Sequence, residues 1–161
     1  MPHTWEHLNL TKIPFEDAIS RIEKCLRYFE ENLDGFEVTD AVYNFAFNAS
    51  TPELEQYVLS RVRAVRTGGP SAINEIPDDV TPLRISCKSM GPGNIDRWVE
   101  GQVNSFLETN GGWLVLNTHG LDEERWGPVS STYLTKLLKR LIRIDSLMVI
   151  PAGEVFRLNK G

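Results

Sequence analysis

Sulfur and imidazole are scarce in this chain: 161 residues hold two cysteines, three methionines and three histidines. Cys25 and Cys87 cannot build a disulfide framework, and one falls in a helical pattern while the other falls in a strand-like one, so free thiols are expected. A basic excess is also lacking, since 17 Lys and Arg stand against 22 Asp and Glu for a formal net charge of -5. That balance argues against a nucleic-acid or anionic-membrane partner, both of which favour a basic face that neutralises phosphate. No stretch approaches the roughly 20 apolar residues that span a bilayer, and the N-terminus lacks the apolar core of a signal peptide, so a cytoplasmic chain is expected. What is present, 41% hydrophobic and 24% charged residues, suits a single globular domain over residues 1–161 without internal repeats.

Hydrophobic spacing orders the chain. Phe15, Ala18, Ile19, Ile22, Leu26, Phe29 and Leu33 recur at intervals of three and four, which predicts an amphipathic helix opening at Pro14 and stopping at Asp34-Gly35. Val42 to Phe47 reads as a strand, and Ser50-Thr51-Pro52-Glu53 carries capping-box and proline-start signals for a helix ending about Leu59. Short strands are expected at Val62 to Val65 and Leu83 to Ser86, separated by a Gly68-Gly69-Pro70 turn and a polar stretch containing Asp78 and Asp79. Asn94 caps a further helix with Ile95, Trp98, Val99, Val103, Phe106 and Leu107 on one face. Trp113 to Leu116 then reads as a strand buried on both faces, Ser130 or Ser131 starts another helix, and Leu147 to Ile150 reads as a last buried strand. Helices alternating with strands imply an α/β fold with a parallel sheet, open or part of a barrel.

In such folds functional groups gather beyond the carboxyl ends of the strands. Asn48, Arg66, Thr67, Cys87, Lys88 and His119 are the residues so placed by these strand assignments. His119 stands in the polar turn Asn117-Thr118-His119-Gly120 directly after an apolar run, where an imidazole can transfer protons near neutral pH; a hydrogen-bonded loop histidine is the plainer alternative. His3 and His7 have the four-residue spacing that places two imidazoles on one face of a helical turn, suited to a divalent ion such as zinc, or they are solvated terminal side chains. His3-Thr4-Trp5-Glu6-His7 also has the form of an inverted zinc-peptidase motif, but Leu8 to Ile13 shows no helical period to carry it. Arg66 suits a bound carboxylate or a catalytic acid, and equally a structural ion pair. Trp126, in Trp126-Gly127-Pro128, suits an aromatic wall against a sugar ring or an ordinary packed loop.

Taken in order, these motifs resemble the NodB-like polysaccharide deacetylases of carbohydrate esterase family 4. His3-Thr4-Trp5-Glu6-His7-Leu8-Asn9-Leu10 before an amphipathic helix resembles the family's His-Ser/Thr-x-x-x-His motif, and Gly111-Gly112-Trp113-Leu114-Val115-Leu116-Asn117-Thr118-His119-Gly120 resembles its last motif. The segments 43–48 and 63–68 occupy the place of its arginine-containing middle motif and the strand that follows, with Asn48 where a proline is usual, and Asp96-Arg97-Trp98 answers its aspartate-tryptophan motif. The resemblance implies a partial irregular (β/α) barrel, with His3 and His7 as ligands of a divalent metal such as zinc and His119 as general acid; Arg66, from its place after a strand, is expected in a catalytic role. The resemblance also implies that Leu116 lines the acetyl pocket for an N-acetylated carbohydrate substrate, and Asn48 and Trp126, from their own positions, are expected to face the same substrate.

Family members carry an upstream Thr-Phe-Asp-Asp-Gly segment that supplies the catalytic base and the third metal ligand, and the chain begins after that point. General-base loss typically costs about 10²- to 10⁴-fold, so a weakly active or inactive hydrolase is expected, with a non-catalytic carbohydrate-binding or interaction module as the alternative. An incomplete barrel would also leave an open sheet edge through which the chain self-associates.

Overall fold

The computed structural model describes residues 1–77, 83–156 and 158; Asp78 and Asp79 of the polar stretch lie outside them. The architecture is α/β. One four-stranded parallel sheet runs in the order β1-β2-β4-β6, formed by Val42–Asn44, Ala64–Gly68, Leu83–Ser89 and Leu116–Asn117. Its strand numbers rise without reversal, the singly wound order of a β/α half-barrel; a doubly wound sheet reverses at a switch point. A separate antiparallel pair joins β3 (Ile73–Asn74) to β5 (Trp113–Leu114). No helix among the described residues is long and apolar enough to cross a membrane.

The chain falls into two compact units. The first takes in Met1–Gly69, Pro77–Ser86 and the C-terminal segment from Ala152; the second takes in Pro70–Ile76 and Cys87–Pro151. In the first unit β1 and β2 pair in register, Val42 opposite Ala64 and Asn44 opposite Arg66, and α2 (Pro52–Leu59) makes the connection between them. Its core sets Ala18, Ile22 and Leu26 of α1 (Phe15–Asn32) against Tyr43, Phe45, Leu54, Val58 and Val65. These are the apolar positions whose three- and four-residue spacing predicts α1, and burying that stripe is what makes the helix stable in place. Pro14 sits at the N-cap, one position before the first helical residue, and Gly35 takes a positive φ of 73° just beyond the end. α1 and α2 are clasped by Glu23, which accepts from the Tyr57 hydroxyl at 2.8 Å and from two Arg61 nitrogens at 2.9 and 3.1 Å.

In the second unit α3 (Asp96–Leu107) and α4 (Ser131–Leu141) bury Ile95, Val99, Val103, Leu137 and Leu141 with Val129. Gly101 lies mid-helix in α3, and a Cβ built there meets no atom within 4 Å. Gly101→Ala is therefore expected to stabilise the protein by about 0.5–1 kcal/mol, because alanine loses less backbone freedom on folding. A thermal midpoint that falls on this substitution would contradict the open environment.

Several sequence expectations are corrected. The strand over Val42 to Phe47 ends at Asn44, because Phe47 and Asn48 adopt left-handed φ values of 58° and 51° and turn the chain. The strand expected at Val62 to Val65 runs over Ala64–Gly68, and that at Leu83 to Ser86 continues to Ser89. Arg66, Thr67, Cys87 and Lys88 consequently lie within strands and not beyond them, Arg66 paired with Asn44 of β1 and Lys88 with Leu116 of β6. Trp113 to Leu116 is not one doubly buried strand: it splits at Val115, its first half pairing with β3 and its second beginning with β4, and all four residues are only half-buried. Leu147 to Ile150 forms no strand and leaves Met148 and Val149 exposed, since apolar composition without a neighbouring strand to pair with cannot satisfy the backbone as sheet. The helix after Ser50 is capped by Thr51, whose Oγ1 accepts from Leu54 N–H, so the Ser50-to-Glu53 capping box does not form.

Candidate functional site

His3 and His7 meet, but not by the helical route. The segment before Leu10 is not helical; Thr4 and His7 take φ values of 57° and 53°, and these two reversals fold the segment back on itself. The imidazoles then lie edge to face with centroids 4.8 Å apart, and His7 also packs 4.8 Å from the Phe47 ring. The remaining residues of the motif fasten it to α1. Trp5 meets Tyr28 at 5.2 Å with Lys24 Nζ 4.4 Å over its ring, and Glu6 forms an ion pair with Arg21. Glu6 is thereby engaged by a cation, which places it in a structural bridge.

The segment is laid along the outer edge of β1. Asn44 N–H donates to Pro2 O at 2.8 Å, and His3 Nδ1 lies 3.1 Å from Asn44 O and 2.6 Å from Asn44 Nδ2. His3 is half-buried and His7 exposed. Beneath them Cys25 is buried, and burial pushes its thiol up, offset in part by the His3 backbone N–H and the chain's amino terminus.

Tyr43 is fully buried; burial first, and then Cys25, push its phenol far above the ordinary range, with the Thr4 backbone opposing weakly. Its hydroxyl has no hydrogen bond of ordinary geometry. Because an unmet buried hydroxyl contributes only its desolvation cost, Tyr43→Phe is expected to leave stability unchanged or raise it by up to about 1 kcal/mol. A urea midpoint that shows a loss of that size would reveal a partner for the hydroxyl.

Two more expected site residues lie in the same unit. Arg66 is buried in β2, in register with Asn44, and has a partner within the fold. Asn48 ends the turn after β1, and its carbonyl accepts from Thr67 Oγ1 at 3.0 Å. Thr67 in turn meets Ser50 Oγ at 3.1 Å, and Ser50 donates to Glu55 at 2.5 Å, which also receives Arg84 Nε. This chain of bonds ties the loop after β1 to β2 and β4. The fold thus sets His3 against Asn44 at the carboxyl end of β1, with Asn48 in the turn that follows and Arg66 opposite Asn44 within β2.

Within the second unit, His119 is exposed just beyond β6 and its backbone N–H donates to Gly127 O at 3.1 Å. Gly127 has φ 66°, and a Cβ there would lie 2.5 Å from Met90 O and 3.2 Å from His119 Nδ1. Trp126 lies over Gly91, where an added Cβ would come within 2.6 Å of the indole, and about half of the residue remains exposed (53%). His119 and Trp126 are therefore brought to one loop cluster through Gly127. Leu116 is half-buried and packs against the core of this unit.

Asn44 and Phe47, which touch the two histidines, were not among the expected site residues. The signal for Asn44 is an amide flanked by Tyr43 and Phe45 inside an apolar run, a position that burial makes costly unless its hydrogen bonds are met. Phe47 reads as one more apolar strand residue, and only the left-handed turn brings it to His7.

Metal capacity can be tested on ring spacing. A tetrahedral zinc holding two imidazoles at about 2.0–2.1 Å sets their centroids about 5 Å apart. The 4.8 Å separation of His3 and His7 fits that spacing. Among the described residues no group of three or more His, Cys, Asp and Glu gathers as a metal site. Compared with family models, curated proteins and solved structures, the chain matches none of them.

Proposed function

We propose that this chain is a metal-dependent hydrolase of the NodB-like type that removes N-acetyl groups from a carbohydrate. The observation that supports this most is the His3–His7 ring pair at a spacing suited to one divalent ion, at the carboxyl end of β1, with His3 Nδ1 on a backbone carbonyl. A carbonyl acceptor on one imidazole nitrogen is the usual support for a histidine that ligates through the other. In this reading His3 and His7 hold zinc, which when bound lowers the pKa of water and polarises an acetyl carbonyl. His119, exposed in its loop, donates a proton to the departing amine. Arg66 orients an acidic group from within β2. Asn48 and Leu116 contribute to the substrate surface, and the exposed face of Trp126 stacks on a sugar ring.

The test is acetate release from N-acetylglucosamine oligomers with and without zinc, for the wild type and His119→Asn. Weak zinc-dependent release that falls further in the variant is the expected result. Release that is independent of both zinc and His119 would overturn the assignment. A second reading, a non-catalytic carbohydrate-binding module, is favoured by the half-exposed Trp126 indole on Gly91. Sugar binding that is lost in Trp126→Ala, with no acetate released by the wild type, would select it.

A further inference from the structure

The contacts of Asn44 decide which nitrogen of His3 carries the proton. His3 Nδ1 has two neighbours on this residue, the backbone oxygen at 3.1 Å and the carboxamide Nδ2 at 2.6 Å. The two make opposite demands: Nδ2 can only donate, whereas the carbonyl oxygen can only accept. A protonated Nδ1 satisfies the carbonyl and conflicts with Nδ2, and an unprotonated Nδ1 does the reverse. The carboxamide can exchange its two ends by a half turn, and the backbone carbonyl, held in β1, cannot. The carboxamide oxygen, meanwhile, is buried and has no hydrogen-bond partner. A half turn of the amide removes the conflict at Nδ1, because Oδ1 then faces the Nδ1 proton together with the carbonyl oxygen.

We propose that Asn44 is a positioning residue: its backbone and side-chain oxygens together hold His3 as the Nδ1–H tautomer, so that the ring's lone pair is on Nε2. This rests on the metal-ligand reading of His3 for its purpose, but not for its test. Neutral imidazole ligates through a lone pair, and an acceptor at the opposite nitrogen selects the tautomer and sets the ring plane. Tyr43 and Phe45, both fully buried on either side, fix the strand that presents Asn44. Pro2 O, accepting from Asn44 N–H, fixes the segment that presents His3. The ring and its acceptors are therefore set by backbone on both sides.

The experiment is nitrogen-15 correlation NMR of the metal-free protein at a pH where His3 is neutral, with zinc affinity measured in parallel on the wild type, Asn44→Asp and Asn44→Leu. The wild type is expected to show Nδ1–H at His3. Asn44→Asp, whose carboxylate accepts from Nδ1–H, should keep that tautomer, and Asn44→Leu should lose it in part and bind zinc about 10- to 100-fold more weakly. An Nε2–H tautomer in the wild type would overturn the proposal whether or not the leucine variant folds. An unchanged tautomer in Asn44→Leu would overturn the role of the side chain. Nδ1–H in a wild type that binds no zinc would uphold the positioning by Asn44 and remove the metal-ligand reading instead.

Discussion

Zinc affinity is expected to fall about 100-fold or more when His7 is replaced by asparagine, with little change in the stability of the metal-free protein. The size follows from what is removed: loss of an outer-shell support alone costs about 10- to 100-fold, and a direct ligand contributes at least as much. Asparagine is the informative replacement because His7 sits at φ 53°, where alanine would add backbone strain and asparagine adds little. His7 is exposed, so its removal costs mainly the contact with Phe47, and a change below about 1 kcal/mol is expected in the metal-free form. Calorimetric zinc titration with a parallel denaturation curve separates the two quantities. Equal zinc affinity in wild type and variant would show that the ring pair at 4.8 Å is an aromatic contact and not a donor set, and the hydrolase reading would lose its support.

Gly127→Ala is expected to destabilise the protein by about 2–5 kcal/mol. Two costs combine: a left-handed conformation at a residue with a Cβ costs about 1–2 kcal/mol, and forcing an atom into filled space costs about 1–3 kcal/mol. The obstructing atom is Met90 O at 2.5 Å, a backbone oxygen that cannot swing aside as a side chain could. The effect also reaches the candidate acid, because Gly127 O accepts from His119 N–H and the added Cβ would face His119 Nδ1 at 3.2 Å. Denaturant unfolding gives the stability change, and the His119 ring resonances report the local displacement. A loss under about 0.5 kcal/mol would mean that the turn yields easily and does not hold His119.

The contrast with Gly101→Ala isolates the reason. Both add one methyl group, but at Gly101 the backbone is helical and the space open, whereas at Gly127 the φ is 66° and the space filled. The same change therefore has opposite expected signs. Sequence distinguishes these glycines only in part: a glycine inside a helical pattern is recognisable, but the approach of Met90 to Gly127 is a contact between distant segments.

The same division runs through the candidate site. His3, His7 and His119 stand out in the sequence because only three histidines are present and each lies in a marked motif. Their supports do not stand out. Asn44 becomes a partner of His3 because the chain's first residues run beside β1, and Phe47 reaches His7 because the backbone reverses after Phe45. The zinc-peptidase form of the motif also dissolves in three dimensions, since Glu6 is bound by Arg21 of α1.

Sequence by itself determined the helices, the α/β class and the identity of the three imidazoles. The helices are legible because a 3.6-residue apolar period is a local property, written within α1, α3 and α4 and reinforced by caps such as Thr51. Tertiary structure alone decided where the strands begin and end. A strand exists only where a neighbour pairs with it, so Arg66 and Lys88 were drawn into the sheet, Trp113 to Leu116 was divided between two partners, and Leu147 to Ile150 was left without strand structure. It also decided that His3 and His7 come together, through two left-handed residues and a strand edge whose hydrogen bonds join segments some forty residues apart in the chain.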